Sequence, residues 1–186
     1  MRTLTTTTIA AGFAVAALTT GLASSQQAPA PTQGSQPAPV SSDRRETSAD
    51  RTFVMKMAQG GMAEVELGKL AVKNGGSQEV KAFGQRMIDD HSKAGDELKA
   101  IAGRKNIPWP AVPDAKAQSL YDKLSTLNGE AFDREYVSAM ISGHKAVAAD
   151  LQTESKSGKD PEVKEWAIKT LPAVESHLNQ AEHAHQ

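Results

Sequence analysis

The chain contains no cysteine. That excludes disulfides, thiolate nucleophiles, sulfur-rich metal sites and a lipid-bearing cysteine, and it leaves stability to core packing alone. Aromatic residues are only 4% of the 186, and acidic and basic residues nearly cancel, at a formal charge of −1. With neither a basic stripe nor stacking platforms, nucleic-acid binding is excluded as a function class. No apolar run reaches the length of a membrane span; the longest, Ile9 to Leu18, is too short. Strict apolar–polar alternation is missing throughout, which argues against strands. There is no Gly-x-Ser-x-Gly elbow and no His-Glu-x-x-His pair, so the common hydrolase chemistries have no sequence support.

What is present begins with a signal-like amino terminus. Arg2 supplies a positive start, the Ile9–Leu18 run follows, and Gly21-Leu22-Ala23 is a small-x-small cleavage site. Residues 1–23 are therefore expected to be a signal peptide, and the mature chain an exported, periplasmic protein without a transmembrane segment. Residues 24–49, rich in Gln, Pro, Ser and Ala, cannot bury enough apolar surface to offset chain ordering and read as a disordered tether. Residues 50–186 form the expected folded domain.

That domain reads as helices. Arg51 to Lys73 carries Phe53, Met57, Gly60, Glu64, Leu67 and Ala71 on one face, and Ser77 to Lys105 carries Val80, Gly84, Met87, His91, Ala94, Leu98 and Ile101. The short Asn74-Gly75-Gly76-Ser77 connection makes them an antiparallel hairpin, with a left-handed glycine ending the first helix and Ser77 capping the second. Pro108, Pro110 and Pro113 impose an extended crossover, and Asp114 to Leu124 reads as a short extra helix. Glu130 to Ser157 places Val137, Met140, His144, Val147 and Leu151 in a seam. After Gly158, the Asp160-Pro161-Glu162 start signal opens a last helix with Val163, Ala167, Thr170, Val174, His177 and Ala181 in register. The fold class is all-α: a ferritin-like four-helix bundle of two antiparallel hairpins joined by a long crossover.

Each long helix thus holds one metal-capable residue in an otherwise apolar seam: Glu64, His91, His144 and His177. A buried, unpaired carboxylate costs several kcal/mol, so Glu64 needs a partner or a proton. Inward Glu and His from facing helices are how bundles build metal sites, and this donor set suits one zinc, iron, copper or manganese ion. Two features weigh on the other side. Counted from the hairpin turns, the two residues of each hairpin are offset by about 7 Å. Leu171 and Leu178 also define a rival inner face that would move His177 to a boundary. The internal glycines Gly60, Gly61, Gly68, Gly84, Gly95 and Gly143 fit either close helix approach or space for a ligand. A methionine copper site at Met55, Met57 and Met62 is a further alternative, and His183 and His185 sit in the terminal tail.

The stretches Gly60 to Ala71, Asp90-His91-Ser92-Lys93, Gly143-His144-Lys145 and Thr170-Leu171-Pro172 through Leu178 resemble an exported bacterial family, the domain of unknown function 4142, some members of which are labelled predicted outer-membrane proteins. The resemblance spans Arg51 to Ala181 and implies a ferritin-like bundle with no assigned activity. Family members often carry an acid before the third-helix histidine, where this chain has Gly143. The Glu-x-x-His pairs of di-iron bundles are missing too, since Ile88, Ile141 and Val174 stand three residues before the histidines. Two functional readings follow. One is a non-enzymatic envelope or stress-related module, associated with the envelope or with copies of itself; the other is a metal-binding protein handling metal ions or reactive oxygen.

Overall fold

A computed structural model describes residues 42–184, with side chains from residue 48 onward. The signal-like segment, residues 24–41 of the expected tether, and His185 lie outside the described residues. Five helices are described: α1 (Ser42–Asn74), α2 (Gln78–Arg104), α3 (Ala115–Ser125), α4 (Gly129–Ser157) and α5 (Pro161–Ala184). Helix α1 starts well before the expected Arg51, so residues 42–49 of the stretch read as a tether are its first turns.

The chain forms an all-α four-helix bundle. α1 pairs with α2 and α4 with α5, while α2 packs on α5 and α1 on α4. The end of α1 meets the start of α4 through an isolated bridge between Gly75 and Gly129. α2 and α4 therefore set out from the same end and run parallel on the bundle diagonal, with the crossover returning the chain along the bundle between them. This is the ferritin-like connection, with α3 laid over α1 and α4.

The caps explain the boundaries. Ser77 accepts from Val80 N at 3.1 Å, Asp114 from Ala117 N at 2.8 Å, and Asp160 from Val163 N at 3.1 Å. The α1–α2 turn departs from expectation, because the left-handed residues are Asn106 and Gly129, not Gly75 or Gly76. Gly76 is instead required by close approach, since a Cβ there would stand 2.9 Å from Gly129 Cα. Asn106 ends α2 in a Schellman turn: Ile107 N donates to Ala102 O at 2.9 Å, and Ile107 buries its side chain beside it. Asp133 then stitches the ends together, accepting from Gly76 N and Ser77 N at 2.8 Å each.

Two apolar clusters fill the bundle. One joins Phe53, Met57, Leu98, Ile101, Leu151, Val163 and Val174; the other joins Leu67, Phe83, Met87, Phe132, Tyr136, Met140 and Ala181. Along every long helix, the segment between the two contributions holds the polar seam residue: Glu64, His91, His144 or His177.

Candidate metal centre

His144 and His177 are each 1% exposed, and His91 is half-buried. The rival face of α5 therefore loses: Leu171 and Leu178 are only partly buried, and His177 points inward. One ring nitrogen from each of His91, His144 and His177 lies within 4.8 Å of the others. Their common depth follows from the parallel diagonal pair. His91 is fourteen residues past the cap Ser77, and His144 sixteen past the cap Asn128, a difference of roughly 3 Å along the axis. The 7 Å offset counted within hairpins does not govern, because the helices that matter start from the same stitched end.

Hydrogen bonds fix which nitrogen two of the rings offer. His144 Nδ1–H donates to Met140 O at 2.9 Å, which leaves Nε2 as the lone-pair nitrogen. His177 Nε2–H donates to Asp90 Oδ2 at 2.7 Å, which leaves Nδ1. His91 Nε2, His144 Nε2 and His177 Nδ1 are buried without a partner. Buried polar atoms are almost always satisfied, so three bare ring nitrogens gathered at one depth need a ligand or a hydrogen-bond partner. An ion bonded at about 2.0–2.1 Å to each nitrogen would hold them roughly 3.3–3.6 Å apart.

Electrostatics agrees with this donor set. Burial, aided by the neighbouring His144 and His177, depresses His91 to about 3, and burial depresses His144 to about 4 against its bond to Met140. Burial also lowers His177, over the opposing pull of Asp90. All three rings are thus neutral near pH 7, the form that binds metal. Desolvation acts to raise Asp90, but hydrogen bonds from His177 and Arg86 outweigh it and hold the carboxyl below its usual range. Arg86 reaches Asp90 at 3.2 Å and also bonds Gln180 and Ser176 on α5. The hydrogen bond from His177 to Asp90 had no signal in the sequence, because it is made across the gap between α5 and α2.

Glu64 is not a member of the histidine set. Its Oε1 lies 3.6 Å from where a Cβ on Gly143 would stand, and Oε2 is buried without a partner. Burial raises its carboxyl to about 7, so below neutral pH a proton relieves its isolation. Tyr136, which the sequence reading did not single out, is fully buried with an unpartnered hydroxyl; burial and the nearby Glu64 raise its pKa. Of the methionines, Met57 is core, Met55 packs against it, and Met62 lines a cleft with His91. His183 is exposed on the last turn and bonds Asn179 O.

The glycines divide by role. A Cβ on Gly68 would lie 2.6 Å from Gly84 O, and one on Gly84 2.6 Å from Ala71 Cβ, so this pair lets α1 and α2 touch. Gly60, Gly61 and Gly95 face open space.

Comparison with solved structures gives the fold a context. A DUF305 fragment from Deinococcus radiodurans superposes with a TM-score of 0.65 at 17% identity, over 73% of this chain and 93% of its own. CopM in its Cu(II)-bound form gives 0.64 at 19% identity over 74% and 95%, and in its Cu(I)-bound form 0.61 at 18% over 72% and 93%. At these identities the likeness is one of fold. No curated protein matches the chain in sequence. The family model of the domain of unknown function DUF4142 matches residues 35–184, which includes all four long helices and every residue of the histidine cluster; the chain belongs to that family.

Proposed function

We propose that the protein is a metal-binding protein whose primary ligands are His91 Nε2, His144 Nε2 and His177 Nδ1, and that the ion is copper. The observation that carries this reading is that the three histidines each bring a ring nitrogen within 4.8 Å of the others and each hold a buried, partnerless ring nitrogen. The support from chemistry is the donor set. Three neutral imidazoles without carboxylate or thiolate suit copper or zinc better than manganese or magnesium. A monovalent ion is easier to bury among neutral ligands than a divalent one, and Asp90 behind His177 balances a single positive charge. CopM, of like fold, is a copper- and silver-bound protein. Asp90 and Met140 O each accept a hydrogen bond from the ring nitrogen that faces away from the cluster's free lone pair, and so orient two of the rings. Glu64 is assigned no bond to the ion. The signal-like amino terminus supports a periplasmic setting for this copper handling, with no catalytic step assigned.

The test uses the full chain with His183→Gln and His185→Gln, so that tail binding is removed. Bound metal is counted by mass spectrometry after exposure to Cu(I), Zn(II) and Mn(II) under matched competition. One equivalent of copper per chain is expected, with affinity at least 100-fold lower in His177→Ala. Less than half an equivalent of every metal overturns the reading; preferential zinc retention overturns the choice of ion.

A further inference from the structure

Of the three histidines, His91 alone is not fully buried. Its outer side lines a cleft of about 450 Å³ between α1, α2 and the crossover, together with Ala58, Gly61, Met62, Gly95 and Trp109. The ring is therefore the partition between this cleft and the histidine cluster: it borders the cleft, while its Nε2 is buried and unpartnered.

The cleft is kept open by residues that packing does not explain. Gly61 and Gly95 are interior helical positions where glycine costs roughly 0.5–1 kcal/mol relative to alanine. Gly68 and Gly84 have a steric reason to be glycine; Gly61 and Gly95 have none, since a Cβ on either meets nothing within 4 Å. What they leave vacant is the space in front of His91. Met62 contributes a thioether to the same wall, a soft donor that favours Cu(I) and Ag(I) over zinc.

We propose that this cleft is the port through which a soft monovalent cation reaches the histidine cluster, with Met62 as the first ligand and His91 as the ring that carries the ion inward. This rests on the metal-binding reading above. The ion is held first by Met62 Sδ. Rotation of the imidazole turns His91 Nε2 to the cleft, where a bond to it forms as the bond to sulfur breaks, with no change in oxidation state, and the reverse rotation delivers the ion to His144 and His177.

Stopped-flow transfer of Cu(I) from a chromophoric chelator to the full chain tests this. Gly95→Leu fills the cleft without replacing a ligand, and Gly103→Leu, also on α2 and facing open space but outside the cleft, is its control. Gly95→Leu is expected to slow both loading and release at least tenfold and to leave the equilibrium affinity within about twofold, while Gly103→Leu loads at the parent rate. Met62→Leu is expected to slow Cu(I) loading severalfold and leave Zn(II) loading unchanged. Parent-like loading by Gly95→Leu overturns the port, as does an equal slowing in Gly103→Leu or a loss of equilibrium affinity in Gly95→Leu. Parent-like Cu(I) loading by Met62→Leu overturns the role of the thioether. A parent chain that takes up no Cu(I) at equilibrium overturns the metal-binding reading itself and the port with it.

Discussion

At the scale of single residues, the centre is defined by which atoms lack partners. Asp90 holds the His177 tautomer, so replacing its carboxylate with an amide removes the anion that fixes Nε2–H and leaves Nδ1 less basic. Asp90→Asn is expected to weaken Cu(I) binding 10–100-fold in competition titrations with an unchanged helical circular dichroism spectrum, since Asp90 is partly exposed. Glu64 makes a separate prediction. Its folded-state value, about 7, lies above the ordinary 4.5, so the protonated form is the one the fold prefers. Its contribution to stability is full below about pH 4.5 and is lost as pH rises through 7. By pH 8 the loss reaches roughly 3 kcal/mol at 1.36 kcal/mol per pH unit. Glu64→Gln is expected to remove this alkaline decline, read as urea midpoints at pH 5 and pH 8; equal declines in both proteins would contradict it.

At the scale of elements, the two kinds of helical glycine predict opposite outcomes from one substitution. Gly84→Ala inserts a methyl 2.6 Å from Ala71 Cβ and 2.8 Å from Gly68 O. Backbone cannot yield cheaply there, and a loss of about 1–3 kcal/mol is expected. Gly61→Ala meets open space and is expected to gain about 0.5–1 kcal/mol. Chemical denaturation of the pair measures both signs. A second device joins elements at the far end, where Asp50 on α1 accepts from Lys159 N and Asp160 N in the α4–α5 turn at 3.2 and 2.8 Å. Burial, then the charge and hydrogen bond of Asp50, raise the adjoining Glu154 to about 7, with Asp160 adding and Lys164 opposing. Being raised, this group also stabilises at low pH and ceases to as pH passes 7. Thermal midpoints should fall between pH 6 and 8 in the parent chain and fall less in Glu154→Gln.

At the scale of the whole molecule, a polar layer divides two apolar cores, and its ligands come from both hairpins. α2 supplies one imidazole, α4 and α5 the others. An ion bound there cross-links the hairpins in the folded state only, so it stabilises by RT ln(1 + [L]/Kd), about 2.7 kcal/mol at 100 times Kd. Differential scanning calorimetry with and without Cu(I) should show a rise in melting temperature that grows with free copper and vanishes in His177→Ala. A rise that persists in that variant would place the ion elsewhere.

The sequence by itself determined that the four long helices form and where most of them start, because apolar seams such as Val80, Met87, Leu98 and Ile101 and caps such as Ser77 and Asp114 act within a few residues, while the start of α1 and the inner face of α5 were left to the tertiary structure. It also picked out the three histidines, which stand out against apolar neighbours at helical spacing. Only the tertiary structure decided that they meet. Their common depth depends on Asp133 tying the start of α4 to the start of α2, fifty-odd residues away. Only the tertiary structure separated Glu64 from the set, brought Asp90 onto His177 and opened the cleft at His91. Those are contacts between helices, and the 3.6-residue period fixes where a side chain points on its own helix but not which neighbour it finds there.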